Sequence, residues 1–281
     1  VLKCDGLAAG KGVLILDNLD VAKQKLREIL TDGSFGAAGS KVVIEEFLDG
    51  IELSTFVLTN GKDYLLLPTA KDYKRIGEGD TGLNTGGMGA LSPAPVADQM
   101  FMDKVRVKVI DRTLSGLENE KIHYHGFLFI GLMRVGNEPY VIEYNVRMGD
   151  PETEAVLPLV DSDLLAHFLA VGNGTLADEE IQISSQSATT VMMVSGGYPE
   201  SYEKEKEIKG LENVGPESMV FHAGTKKIHN KVMTNGGRVL TVTSKADNLE
   251  SALKASYENI DKIEFDKCYY RKDIGYELSS A

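Results

Sequence analysis

The side chains best spaced for chemistry lie in the stretch Val141–Glu154, VIEYNVRMGDPETE. Glu143 and Asn145 stand two apart among the strand formers Val141, Ile142 and Tyr144, and a strand turns both to one face. A carboxylate and an amide oxygen presented together suit a hard cation such as Mg²⁺, which takes oxygen ligands and is often shared with phosphates. Arg147 continues the alternation onto the same side. Gly149-Asp150-Pro151 breaks the strand, and Pro151 is placed to open a helix with Glu152 and Glu154 in its first turn. The competing reading is a strand end with ordinary surface charge.

A second candidate is DGLAAGKG at residues 5–12, followed by apolar Val13–Leu16. Its small residues allow backbone N–H groups to approach an anion, and Lys11 adds a point charge. It is not a Walker A loop: only three residues separate Gly6 from Gly10, and Gly12 stands where Ser or Thr would be needed. A strand–loop–strand flap over phosphates and a plain hairpin turn are both compatible with it. The third candidate, Lys71–Pro95, is the longest non-periodic stretch. Its glycines are mixed with Lys74, Arg75, Asp80, Thr81, Asn84 and Thr85, which favours a binding loop over a linker.

The surrounding pattern supplies elements to hold these groups. Residues 18–33 read as a capped helix, 41–47 as a strand ending in Glu45 and Glu46, and 51–59 as a strand joined through Asn60-Gly61 to 63–67. With Glu52, the two acids cluster at a connection between two sheets, or form a solvated edge. Residues 99–117 make an amphipathic helix, 127–133 and 139–145 an antiparallel pair, and 162–171 a short helix. His123 and His125 read as surface residues and His167 as a half-buried packing residue. After residue 178 a polar crossing leads to strands at 189–194, 219–223 and 238–243 and a helix at 249–260, a separate α+β domain.

Composition narrows the function classes. Thirty basic residues against 42 acidic ones give a formal charge of -12 and a pI near 5.0, which argues against a nucleic-acid partner. Cys4 and Cys268 are the only cysteines, and their separation gives neither a disulfide framework nor a zinc site. No apolar run is long enough for a membrane helix and no secretory leader is evident, so a cytoplasmic protein is expected. The opening Val1-Leu2-Lys3 reads as the end of a strand, as though an N-terminal portion were missing.

Taken together the motifs resemble the ATP-grasp ligases, and within them the phosphoribosylamine–glycine ligase family. The resemblance is carried by KCDGLAAGKG (3–12), IEEFLDG (44–50), DTGLNTGGMG (80–89), EYNVRMGDPE (143–152), GGYP (196–199), FHAGT (221–225) and NGGRVL (235–240). It implies an α+β ATP-grasp fold, with a small subdomain at 1–47 and a large one at 48–184 sandwiching ATP. A small β-rich C-terminal domain at 185–281 would follow. Lys3, Gly10, Lys11, Gly12, Glu45, Glu46, Leu48 and Glu52 would bind the nucleotide. Lys3 would reach a phosphate, residues 10–12 would form the flap, Glu45 and Leu48 would meet the adenine edge, and Glu52 would hold the ribose. Glu143 and Asn145 would hold Mg²⁺ or Mn²⁺. Asp80, Thr81, Asn84, Thr85 and Arg147 would line the substrate side, and Lys11, Arg147 and Asp150 would be catalytic. Related enzymes carry a further acid on the preceding strand, where this chain has Gly131-Leu132-Met133. Tyr73 and Leu83 stand where His and Pro are common.

The implied reaction joins glycine to 5-phosphoribosylamine through glycyl phosphate. The implied partners are these two substrates and an N-terminal domain of the same protein, with no nucleic acid and no membrane. Another ATP-grasp ligase or carboxylase, and a nucleotide-binding module without activity, are the alternatives.

Overall fold

The chain's structure, a computed structural model, describes residues 1–6 and 12–280. Contacts divide the chain into two compact units, Val1–Asp49 and Gly50–Ala281.

In the first unit, β1 (Leu2–Cys4), β2 (Val13–Leu14), α1 (Leu19–Thr31) and β3 (Val42–Ile44) follow in order, and the strands form one antiparallel sheet, β2-β1-β3. Helix α1 starts where it does because the Asn18 side chain accepts the amides of Asp20 and Val21 at 2.9 and 3.1 Å. The strand expected over 41–47 is only three residues long. Its partner β1 offers just Leu2 to Cys4, paired with Ile44 to Val42.

The second unit begins with β4 (Ile51–Thr59), β5 (Tyr64–Leu66), β6 (Lys71–Asp72), β7 (Arg75–Gly77), β8 (Thr81–Asn84) and β9 (Gly89–Ser92). Next come α2 (Gln99–Val105), α3 (Asp111–Asn119), β10 (Gly126–Val135), β11 (Glu138–Asn145), α4 (Glu152–Val156) and α5 (Leu164–Asn173). The chain closes with β12 (Ser187–Val194), β13 (Ser218–His222), β14 (Thr225–Ile228), β15 (Lys231–Thr234), β16 (Arg238–Ala246) and α6 (Leu249–Ile260). A π-helical turn at Arg106–Ile110 joins α2 to α3. That widened turn keeps Val105, Val109, Ile110 and Leu114 all buried, which a regular helical spacing would not do.

The four-stranded sheet β11-β10-β4-β5 is what positions the site. One face, with Leu53, Val57, Leu128, Ile130 and Leu132, packs on Phe101, Val105, Val109 and Leu114 of the helical segment. The other face divides along its length. Phe56, Leu58 and Phe129 join a second core with Val156 and Val171, and Ser54 and Glu143 flank Gly131 further along. Alternation therefore buries one face over β4 and β10 and leaves the polar end of the other for chemistry.

An expectation changes here. Residues 71–95 are not structureless. Strands β6 and β9 belong to the five-stranded sheet β13-β16-β12-β9-β6, and β7 and β8 form a small antiparallel pair. Glycine and alanine hide β9 in the sequence, yet all four of its residues are buried. Strand β12, at the start of the C-terminal segment, pairs with β9 of the preceding chain from Ala188–Ser92 to Val191–Gly89. The β14–β15 hairpin was not foreseen. Its turn places His229 and Asn230 at φ 44° and 67°, where Asn-Gly would have announced it. His167 is 2% exposed and bonds Ser162 at 2.8 Å and Glu179 at 2.7 Å, so it is more deeply buried than its sequence suggested. No helix among the described residues is long and apolar enough to cross a membrane.

Candidate active site

Strand β11 lies at the edge of its sheet, and Asn145 Nδ2 donates to Glu143 Oε1 at 2.9 Å. The two side chains are therefore adjacent, and the amide nitrogen is the end turned to the carboxylate. Gly131 is paired with Glu143, and a Cβ there would lie 3.2 Å from Glu143 Cγ. The position that could have carried a further acid thus makes room for the first one. Among the described residues no group of three or more His, Cys, Asp or Glu could hold a metal. One carboxylate and one amide oxygen still suit Mg²⁺, which keeps waters and takes phosphate oxygens for its remaining positions. Arg147 donates to the Met148 carbonyl at 2.8 Å, and its guanidinium sits 5.9 Å from the Phe129 ring centre. Phe129 pairs with Asn145, so the guanidinium is on the same face as Glu143 and Asn145.

Beside this pair is a cluster that sequence spacing did not reveal. Lys74 is ion-paired with Glu52. Burial acts to lower its pKa, but the charges of Asp72, Glu52 and Glu143 raise it above the usual lysine range. Asp72 is pushed up by burial, with Glu152 and Glu52 adding to the effect against Lys74. Glu152 is 3% exposed, accepts a hydrogen bond from Ser54 Oγ at 3.2 Å, and is raised chiefly by burial. Three carboxylates around one ammonium hold a proton among them. These four residues come from β4, β6, the β6–β7 link and α4, which is why no local motif announced them.

The structure places the remaining candidates unevenly. Asp150 is held by Arg238 at 2.6 Å, and Arg238 also donates to the Gly86 carbonyl at 2.6 Å. Thr85 Oγ1 donates to the Lys74 carbonyl at 2.9 Å and accepts the Gly87 amide at 3.0 Å. Thr81 Oγ1 turns back to the Glu78 carbonyl at 2.8 Å. Asp80 is anchored on both oxygens, by Arg271 at 2.6 Å and Tyr276 at 3.0 Å. Asn84 is exposed on β8. In the first unit Lys3 pairs with Glu45 at 2.9 Å, the Gly12 carbonyl accepts the Cys4 amide at 2.8 Å, Glu46 is exposed and Leu48 half-buried. Gly10 and Lys11 lie outside the described residues.

A cavity of about 440 Å³ adjoins Asp150 and is lined by Glu154, Leu157, Phe221 and His222. Burial raises the Glu154 carboxyl to about 7, and its Oε2 is buried without a hydrogen-bond partner. A carboxyl held above its unfolded value of 4.5 binds more protons in the native state. Its contribution is therefore fullest below 4.5 and is lost as pH rises towards 7. Glu154→Gln is expected to raise the thermal midpoint at pH 8 by about 4–8 °C, on the order of 2 kcal/mol, with no gain at pH 4. Parallel melts at the two pH values test this, and an equal shift at both would refute it.

Comparison with known proteins places these features in context. Residues 1–153 match the family described as phosphoribosylglycinamide synthetase, ATP-grasp (A) domain, and residues 188–277 match phosphoribosylglycinamide synthetase, C domain. The phosphoribosylamine–glycine ligase of Fusobacterium nucleatum is 45% identical over 278 residues, which cover 98% of this chain and 65% of the relative. A bifunctional purine biosynthetic protein of Pichia angusta is 47% identical over 278 residues, 98% of this chain and 35% of that protein. This chain thus spans about two-thirds of the first relative's length and about one-third of the second's. The crystal structure of phosphoribosylamine–glycine ligase from Thermotoga maritima superposes with a TM-score of 0.88 at 38% identity, over 97% of this chain and 68% of that one. Biotin carboxylase from Campylobacter jejuni, solved as a β-γ-ATP complex, shares the fold alone. Its TM-score is 0.67 at 13% identity, covering 95% of this chain and 58% of that one.

Proposed function

Since this chain belongs to the phosphoribosylglycinamide synthetase family and has its ATP-grasp fold, we propose that the protein is an ATP-dependent ligase of purine biosynthesis. It joins glycine to 5-phosphoribosylamine and releases ADP, phosphate and glycinamide ribonucleotide, in the cytoplasm. The observation that carries this reading is the carboxylate–amide pair Glu143–Asn145 on an open sheet edge beside the Lys74 cluster. The curated ligase is longer than this chain, which covers 65% of it, and parts of the substrate site are assigned to the remainder.

The chemistry asks for positioning and charge neutralisation more than for a protein nucleophile. A glycine carboxylate oxygen attacks the γ-phosphorus and ADP leaves. The amine of phosphoribosylamine then attacks the carbonyl carbon of glycyl phosphate, phosphate leaves, and the amine gives up a proton. Glu143 and Asn145 hold the divalent ion, Mg²⁺ or Mn²⁺, which when bound neutralises the triphosphate tail. Arg147 and Lys74 add positive charge on the same side, and Gly10, Lys11 and Gly12 are assigned to the phosphates by the family resemblance. Asp72, raised to about 7 by burial, is suited to take the amine's proton near neutral pH. Lys3, Glu45, Glu46, Leu48 and Glu52 serve the nucleotide. Asn84, Thr85 and Asp150 border the amino acid, with Asp80 and Thr81 shaping the turn before them. Water exclusion protects the acyl phosphate.

Phosphate release by the full-length protein tests the reading. Turnover is expected only with ATP, glycine and phosphoribosylamine together, whereas residues 1–281 alone bind MgATP with little or no turnover. Release with another carboxylate or amine, and none with glycine, would favour a different ATP-grasp ligase.

A further inference from the structure

The hairpin β7–β8 carries the approach to Thr81, Asn84 and Thr85, and its turn is fastened from outside. Gly79 and Asp80 take φ 64° and 53° in succession, a conformation Gly and Asp tolerate, and side chains distant in sequence hold it. They come from the end of the chain. Tyr269 donates to the Ile76 carbonyl at 2.9 Å, the Gly79 amide donates to Asp273 at 2.7 Å, and Arg271 donates to the Arg75 carbonyl at 3.2 Å. Arg271 is the centre of this strap. Its side chain is 0% exposed, and it bonds Asp80 at 2.6 Å and Asp273 at 2.8 and 2.9 Å. Its guanidinium also lies 5.4 Å from the ring centre of Tyr73, the neighbour of Asp72 and Lys74.

A guanidinium so far out of water is costly unless every partner is in place, and such groups specify one conformation more than they stabilise it. A hydrophobic side chain would fill the same space without fixing the turn. We propose that Arg271 is a positioning residue for amino-acid recognition: by pinning Asp80 it sets the 81–85 edge. The metal pair stands on β11, whose strand pairing does not involve this hairpin, so the effect belongs to the amino acid and not to ATP.

This inference rests on the ligase reading, and the test separates the two. In the full-length protein Arg271→Met is expected to raise KM for glycine about tenfold or more, leaving KM for ATP within about twofold. Arg271→Lys restores part of the difference by keeping the charge without the fork. If Arg271→Met does not fold, Tyr276→Phe, which removes only a hydroxyl from Asp80, is expected to raise KM for glycine by about two- to threefold with KM for ATP unchanged. Equal changes in both KM values, or no change in either, overturn the positioning role. Wild-type protein without glycine-dependent turnover overturns the ligase reading instead. Hydrogen exchange then tests the strap by itself. The Gly79 amide is expected to exchange faster in whichever variant folds, and unchanged exchange there overturns the strap.

Discussion

Alanine at both Glu143 and Asn145 is expected to reduce glycine-dependent phosphate release by roughly 10³-fold or more, taking each electrostatic contact at ~3 kcal/mol and allowing for non-additivity. The loss should fall on turnover and on metal-dependent ATP affinity together. The fold should be indifferent. Both side chains lie on an edge strand, Glu143 is exposed, and their mutual hydrogen bond is a surface one. Thermal midpoints within about 2 °C of wild type would show this, since exposed polar substitutions seldom exceed ~0.5 kcal/mol. Unaltered ATP affinity and turnover in the folded double variant would remove the basis of the proposed function.

Gly87→Ala is expected to cost roughly 2–6 kcal/mol, the sum of left-handed strain and overpacking. Gly87 has φ +111°, and a Cβ there would lie 2.3 Å from Cδ of Pro151 and 3.4 Å from the Asp150 carbonyl oxygen. A proline ring cannot swing aside as a flexible side chain can, so the turn itself would have to move. That movement would also pull on Gly86, whose carbonyl shares the Arg238 guanidinium with Asp150. Urea denaturation measures the cost, and Gly116→Ala is the control, because a Cβ on that α3 glycine meets nothing within 4 Å. A midpoint for Gly87→Ala matching the control would show that the turn does not press on Pro151.

The sequence made the Glu143–Asn145 pairing visible because its logic is local. Strand alternation alone sets Glu143 beside Asn145, and β4 and α6 begin and end where their patterns say. The Lys74 cluster was hidden for the opposite reason. Ser54 meets Glu152 across 98 positions of sequence, and no periodicity relates them. Arg271 was hidden too, because a single arginine in a polar tail carries no signal until the tail is seen to be buried. The 71–95 stretch stands out in the sequence by its mixture of glycine, charge and amide. Its strands were missed because β9 owes its place to cross-chain pairing rather than to strand-forming side chains.

The route by which the five-stranded sheet is assembled bears on the chain while it is being made. β9 is synthesised about a hundred residues before β12, and Asp80 waits for Arg271 across 191 positions. Until then Met88, Ala90 and Leu91 have no permanent cover, and β9 offers an unsatisfied backbone edge to any neighbour. Nascent chains are therefore most open to aggregation before β12 and Arg271 have been made, and synthesis of those residues closes that window.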